Sequence, residues 1–83
     1  MTRDQIFALL KQHIVRVLPD VTPDRIALGA SLKELGADSV DRADIATSMK
    51  DALVVDVPLV ELGKVKDLAG LVDLLHGLVA VRG

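Results

Sequence analysis

The sequence predicts an all-α fold: a small four-helix bundle with three main helices, one short helix and a long first loop. Apolar residues recur at helical spacing in three separate segments. Hydrophobic residues make up 51% of the chain and aromatic residues 1%, so Leu, Val, Ile and Ala must build the core. Side chains of this size suit packing of helix on helix. With 83 residues, the chain is expected to form a single domain over residues 1–83.

The first helix is predicted from its start signal and its apolar stripe. Thr2 and Gln5 have the spacing of a capping box, and Pro19 ends the segment. The inward positions recur at helical spacing: Ile6, Leu10, Ile14 and Val17. His13 lies beside this stripe, where a histidine paired with a neighbour at the core boundary is expected.

A long connection is predicted for residues 19–38. Its helix breakers are Pro19, Pro23, Gly29 and Gly36. Thr22-Pro23 and Ser31 with Glu34 indicate short turns, and three leucines are expected to point inward as anchors: Leu28, Leu32 and Leu35. Gly36 permits the tight bend that leads into the second helix.

Two further main helices and a short one are predicted after this loop. The second helix spans Ser39 to about Val54, and Pro58 precedes a short segment, "LVELG", of one or two turns. The last helix is predicted from about Val65 to Val79, with the terminal residues "AVRG" frayed. Its expected core residues are Leu68, Leu71, Val72 and Leu75.

The second helix has two distinct faces when about 100° is allowed per residue. The expected core stripe is Ile45, Met49, Ala52 and Leu53. The opposite side, called the outward face below, consists of Val40, Ala43, Asp44, Thr47 and Asp51. Arg42 does not fit this division into two faces. Asp38 stands four residues before it, and an ion pair in this acid-then-base order stabilises a helix by about 0.2–0.5 kcal/mol. An ion pair and a special role are both open for Arg42.

Composition excludes several classes of function. The net charge is −2, and Lys and Arg are scattered, which argues against nucleic-acid binding. The chain has no Cys, so disulfides, thiolate metal sites and a cysteine nucleophile are excluded. Neither His13 nor His76 has a second ligand at metal spacing, so no metal is expected. No segment is long and apolar enough to cross a bilayer, and a cytoplasmic location is expected.

Ser39, between Asp38 and Asp41, allows three interpretations. Asp38 and Ser39 are both good helix N-caps, which alone would explain them. Catalysis is disfavoured because the G-x-S-x-G elbow, a strand to carry it and a positioned base are all missing. The third interpretation is covalent modification, because the free amides and dipole at a helix start accommodate a phosphate diester. The flanking aspartates would then recruit a basic modifying enzyme.

The segment "LGADSVDRADI" resembles the phosphopantetheine attachment motif of acyl carrier proteins, and the order of helices fits over nearly the whole chain. The resemblance implies that Ser39 carries 4′-phosphopantetheine, with Asp38 assisting the transferase and Gly36 as the turn glycine. The thiol of that group would hold an acyl chain as a thioester, and the protein would be a carrier and not an enzyme. It also implies a surface read by partner enzymes, formed by Val40, Asp41, Arg42, Ala43, Asp44, Thr47 and Asp51.

Several residues depart from the commonest carrier pattern. Val40 stands where Leu is usual, and Ala43 and Thr47 are smaller than their counterparts in fatty-acid carriers. "SVDRADI" followed by "VDVPLVELGKVKDLAGLVDLL" is similar to free-standing donor carriers of polyketide β-branching cassettes. This similarity implies a short acyl unit such as acetyl, given to a hydroxymethylglutaryl-synthase-like (HMG-synthase-like) enzyme. Arg42 would help that enzyme to distinguish the donor from the acceptor carrier.

The resemblance also implies a set of partners and leaves alternatives. The partners are a phosphopantetheinyl transferase, an acyltransferase or decarboxylase that loads the chain, the HMG-synthase-like enzyme and the polyketide synthase machinery. The alternatives are a general polyketide or fatty-acid carrier and an aminoacyl or peptidyl carrier. An unmodified helical interaction domain is the alternative from another class. A monomer is expected.

Overall fold

A computed structural model describes residues 1–82, which form four α-helices and no strand. The helices are α1 (Arg3–Val17), α2 (Ser39–Leu53), α3 (Leu59–Lys64) and α4 (Leu68–Arg82), with a 3₁₀ turn at Pro23–Arg25. α1 packs against both α2 and α4. The predicted all-α class, with three long helices, one short helix and a long first loop, is confirmed. No helix within residues 1–82 has the length and apolarity that a membrane crossing requires.

α1 begins with the predicted capping box. The Thr2 hydroxyl accepts a hydrogen bond from the Gln5 amide at 3.1 Å, and the Thr2 amide donates to Gln5 Oε1 at 2.9 Å. These bonds satisfy backbone donors that a helix start otherwise leaves free. At the other end Leu18 caps the helix just before Pro19, which cannot continue it.

The core lies between α1, α2, α4 and the first loop. The largest fully buried side chains are Ile6, Leu10, Ile14, Ile45, Met49, Leu68 and Leu75. The predicted stripe of α4 is buried throughout, and that of α1 is buried except for the half-buried Val17. In α2 the prediction for Ala52 is wrong, because Ala52 is exposed and Ala46 is buried instead. These two alanines flank Met49 at equal angles on the helix wheel, so helical spacing alone does not choose between them.

The first loop contributes apolar side chains to this core. Val21, Ile26 and Leu35 are buried, and Leu32 is half-buried. The prediction that Leu28 points inward is wrong, since its side chain is 45% exposed. Leu28 instead contributes its backbone, because its carbonyl accepts a hydrogen bond from the Ala69 amide at 2.9 Å.

The start of α4 is determined by backbone amides. The Leu68 amide donates to the carbonyl of Ala30 at 2.9 Å, alongside the bond between Ala69 and Leu28. The next amide, that of Gly70, donates to the Asp67 carboxylate at 2.9 Å. The helix therefore begins at Leu68 and not at Val65, which caps α3. These bonds also fasten the first loop to α4.

The prediction of a frayed end is wrong for residues 80–82, which continue α4 to Arg82. Neither proline nor a β-branched run interrupts α4 before Arg82, so the helix can extend. The last residue of "AVRG", Gly83, lies outside the described residues.

Gly36 makes the bend that leads into α2. Its φ is +97°, a conformation that glycine adopts readily and other residues avoid. The preceding turn is stabilised by the Ser31 hydroxyl, which accepts from the Glu34 amide at 3.0 Å. The predicted turn at Ser31 and the predicted bend at Gly36 are both confirmed.

Val54 ends α2 in a strained conformation. It adopts φ 54° and ψ 52°, the left-handed region, although its side chain is β-branched. Its amide donates to the Lys50 carbonyl, as is usual for a residue that caps the C-terminus of a helix. Val54 therefore caps α2 despite its strained backbone. The side chain is 70% exposed and contributes little to the core.

Val54→Gly is expected to raise the free energy of unfolding by about 0.5–1 kcal/mol, because relief of left-handed strain exceeds the added freedom of the unfolded chain. Urea denaturation of the two proteins measures the change. Val60→Gly is the matched control, since Val60 is 72% exposed but lies inside α3. The control is expected to destabilise slightly, and a stabilised Val60→Gly or a destabilised Val54→Gly would contradict the strain argument.

His13 is buried in the core, with 9% of its surface exposed, and its Nδ1 atom has no hydrogen-bond partner. His13 was expected at the core boundary, paired with a neighbour, and its Nδ1 atom lacks such a partner. Burial lowers the pKa of His13 below its ordinary value of 6.5, and the positive charge of Arg16 lowers it further. The neutral form is therefore the one that the fold favours.

The stability of the fold is expected to fall as the pH is lowered through 6.5, the value for His13 in the unfolded chain. Below that value the unfolded chain binds a proton that the folded chain resists, and the loss is complete below the lowered folded pKa. Urea midpoints measured from about pH 8 to about pH 5 test this slope. His13→Leu should remove this part of the slope, whereas Gln12→Leu, at an exposed neighbour, should retain it. Equal slopes in all three proteins would contradict the account.

Candidate functional site

Ser39 is the first residue of α2, and its side chain is exposed. The preceding residue, Asp38, is the N-cap: its carboxylate accepts from the Asp41 amide at 2.8 Å. In return the Asp41 carboxylate accepts from the Asp38 amide at 3.3 Å. This reciprocal capping box explains why the helix begins here without using the hydroxyl of Ser39. The hydroxyl of Ser39 is therefore exposed to solvent, and the start of α2 does not depend on it.

Arg42 lies beside this hydroxyl. Its Nη2 atom donates to Ser39 Oγ at 3.4 Å, and its Nε atom donates to the backbone carbonyl of Asp38 at 3.3 Å. Arg42 and the Asp38 carboxylate form no ion pair, and Oδ1 of that carboxylate accepts from the Asp41 amide. Both bonds of Arg42 are long, so the exposed guanidinium is held loosely near the serine.

The outward face of α2 is exposed along its whole length. Val40, Ala43, Asp44, Thr47 and Asp51 are all accessible, as the helical spacing predicts. Val40 stands out at 67% exposure, directly after Ser39. Asp41 is half-buried, and its carboxylate is engaged in the capping box. This surface combines small apolar groups with acids next to the serine.

A groove of about 480 Å³ opens beside Ser39. Its walls come from the first loop, α2, α3 and the start of α4. The amides of Leu68 and Ala69 in α4 donate to carbonyls of the first loop and join these two walls. The lining residues are Ser31, Leu32, Lys33, Ser39, Arg42, Ala43, Ile45, Ala46, Leu62, Val65, Lys66, Asp67, Leu68 and Leu71. The groove is therefore continuous with both the serine and the core.

These surroundings fit a phosphate diester on a flexible arm. The hydroxyl is exposed, and the amides and dipole of a helix start favour an anion there. Arg42 supplies a cation within hydrogen-bond distance of Ser39 Oγ. The adjacent groove leaves room for a chain attached to that oxygen. The helix start and Arg42 therefore suit an anionic group at Ser39, and the groove has room for a chain that extends from it.

The same residues do not form a hydrolytic site. Asp38 lies next to Ser39 but directs its carboxylate at a backbone amide. His13 is buried in the core stripe of α1, where its Nδ1 atom has no partner. Among residues 1–82 no group of three or more His, Cys, Asp or Glu side chains is placed to hold a metal ion.

The groove and two of its basic side chains, Lys33 and Lys66, were not predicted from the sequence. They lie far apart along the chain and line one groove where the first loop is bonded to the start of α4. No local pattern could have indicated this meeting. Ile45 and Leu68, by contrast, were predicted as core residues and line the inner part of the groove.

The chain matches the family of domains with a phosphopantetheine attachment site over residues 8–75, a range that contains Ser39 and all of α2. This match defines the class of protein. Across 95% of its length the chain is 39% identical to the polyketide biosynthesis acyl-carrier-protein AcpK of Bacillus subtilis, covering 96% of that protein. It is also 34% identical to an acyl carrier protein of Petrotoga mobilis, with 90% of this chain and 88% of the relative covered.

A third relative is a much longer enzyme. The chain is 31% identical over 64 residues to methylphloroacetophenone synthase of Cladonia uncialis. The aligned region covers 77% of this chain but only 2% of the synthase. The chain belongs to the acyl carrier protein family. Members of this family are non-catalytic carriers, and their cofactor is covalently attached 4′-phosphopantetheine, so the chain is a carrier and not an enzyme.

Proposed function

We propose that the chain is the donor acyl carrier of a polyketide β-branching system, with 4′-phosphopantetheine attached to Ser39 and residues 1–83 forming one carrier domain. The observation that carries this proposal is the exposed Ser39 hydroxyl, presented at the start of α2 by a capping box that leaves it free for modification. The similarity to a polyketide biosynthesis carrier over nearly the full length of both chains supports the choice of pathway.

Attachment makes Ser39 a substrate of a phosphopantetheinyl transferase. Ser39 Oγ forms a bond to the phosphorus of the coenzyme A pyrophosphate that bears pantetheine. The phosphoanhydride bond breaks, adenosine 3′,5′-bisphosphate leaves, and the serine proton passes to a base on the transferase. The carboxylate of Asp38 is engaged by the Asp41 amide, which agrees with a base supplied by the partner.

The carrier then acts by position. An acyltransferase or decarboxylase provides a short acyl group, such as acetyl, on the terminal thiol. The arm delivers this thioester to an HMG-synthase-like enzyme at a high effective concentration, and the enzyme adds it to the β-keto group held on another carrier of the polyketide synthase. The outward face of α2 is where these partners would bind, because its exposed residues directly follow Ser39.

A general acyl carrier is the second candidate. The alignment with the Petrotoga carrier covers 88% of that protein, and this similarity favours a general acyl carrier. The two candidates differ in the enzyme that consumes the acyl group. An HMG-synthase-like enzyme that accepts the acetyl-loaded chain, but does not accept a fatty-acid carrier loaded in the same way, would support the donor role. Equal use of both carriers would contradict it.

Arg42→Ala is expected to slow consumption of the loaded chain by the HMG-synthase-like enzyme about tenfold, since losing one interfacial charge contact costs on the order of 1.4 kcal/mol. Single-turnover transfer from acetyl-loaded protein measures the rate. Arg25→Ala is the matched control, because Arg25 is also exposed but lies on the 3₁₀ turn of the first loop. An unchanged rate for Arg42→Ala would exclude a role of this arginine in donor recognition.

A further inference from the structure

The groove beside Ser39 has basic side chains around an apolar interior. Lys33, Arg42 and Lys66 line it, and all three are exposed. The interior is formed by apolar residues that include Ile45, Leu62 and Leu71. A positive rim on an apolar groove is suited to a ligand with an anionic group and an uncharged chain.

The lining of this groove carries more positive than negative charge. None of the three cations takes part in an ion pair within residues 1–82. Asp67 is the carboxylate among the described lining residues, and it accepts from the Gly70 amide at the start of α4. The groove is thus locally positive on a chain whose net charge is −2. Charge complementarity therefore points to an anionic occupant.

Arg42 is the member of this rim that contacts the serine. Its Nη2 atom is 3.4 Å from Ser39 Oγ, and its Nε atom donates weakly to the Asp38 carbonyl. A guanidinium carries five N–H donors in a planar fork, which matches two oxygens of a phosphate. Two long bonds leave most of this capacity available for a phosphate attached to the oxygen that Nη2 already approaches.

We infer that Arg42 pairs with the phosphate diester of the attached arm and directs the pantetheine chain into the groove. Lys33 and Lys66 add positive potential along the same path, and the apolar interior receives the methyl-bearing part of the arm. This inference rests on attachment at Ser39. It assigns Arg42 a positioning role within the isolated carrier, separate from any contact with a partner enzyme.

NMR of the isolated carrier, converted to the phosphopantetheine form with excess transferase, tests this role. We expect nuclear Overhauser contacts between pantetheine protons and the methyl groups of Leu62 and Leu71, with restricted motion of the arm amides. Arg42→Gln should lose these contacts, and about 1 M salt should weaken them through screening. Arg25→Gln, which changes an exposed arginine outside the groove, should retain them.

Two further variants, Lys66→Gln and Arg42→Lys, test the positioning of the arm independently of Arg42→Gln. Lys66→Gln leaves the surroundings of the serine intact and should weaken the contacts without abolishing them. If Arg42→Gln is not modified by the transferase, Arg42→Lys replaces it and should lose most of the contacts, because lysine lacks the planar fork. An arm equally mobile in the wild type and the Arg42 variant overturns the inference. Absence of any mass gain in the wild type contradicts attachment instead, so the two failures are distinguishable.

Discussion

Ser39→Ala is expected to show no gain in mass when it is incubated with coenzyme A and a promiscuous phosphopantetheinyl transferase, whereas the wild type gains one phosphopantetheine. The variant removes the oxygen that would bond to phosphorus and leaves the capping box of Asp38 and Asp41 in place. The free energy of unfolding should therefore change by less than about 0.5 kcal/mol. Intact-mass spectrometry and urea denaturation measure the two effects.

Ser48→Ala is the matched control for this prediction. Ser48 lies on the same helix but is half-buried in its middle, away from the free amides of the helix start. The control should be modified at the wild-type rate. Modification of Ser39→Ala, or loss of modification in Ser48→Ala with its fold intact, would overturn the assignment of the serine.

Leu10→Ala is expected to lower the free energy of unfolding by about 3 kcal/mol, because it leaves a cavity in the packed core. Leu10 has 0% of its surface exposed and lies where α1 faces the other long helices. A loss of this size is a large share of the roughly 5–15 kcal/mol that stabilises a typical domain. The urea midpoint of the variant should fall accordingly.

Leu28→Ala removes the same number of atoms at a position that is 45% exposed. Its cost should stay below about 1 kcal/mol, because the first loop is attached to α4 through the Leu28 carbonyl and not mainly through the side chain. An equal loss of the free energy of unfolding in Leu10→Ala and Leu28→Ala would contradict the placement of Leu10 in the core.

The helices were predictable from local signals. The capping box at Thr2, the bend at Gly36 and the apolar stripes of α1 and α4 each act within a few residues, so the sequence carries them directly. The exposed face of α2 followed from helical spacing in the same way. The burial of Ala46 in place of Ala52 did not, because the two positions are equivalent on the wheel and only tertiary packing separates them.

Long-range contacts explain what the sequence could not predict. α4 begins at Leu68 because carbonyls of the first loop accept its first amides, and no local pattern announces that pairing. Leu28 takes part through its carbonyl while its side chain stays 45% exposed, and Lys33 lines the same groove as Lys66. Arg42 does not fit the two faces of α2, and helical spacing does not show how closely its side chain approaches the Ser39 hydroxyl.

The chain's family and its cofactor follow from the match to the phosphopantetheine attachment site, and the structure adds a physical reason for the proposed position of that cofactor. A carrier needs a hydroxyl that is exposed, does not support the fold and can hold an anion. Ser39 has these properties together, with a capped helix start below it and a positive groove beside it.

The most direct measurement is fragmentation mass spectrometry of the wild-type protein after transfer of phosphopantetheine. The chain contains three serines, at positions 31, 39 and 48, and fragment ions distinguish them. We expect one phosphopantetheine, located on Ser39, with Ser31 and Ser48 unmodified. A phosphopantetheine on either of those residues, or an unmodified chain under conditions that convert a control carrier, would contradict it.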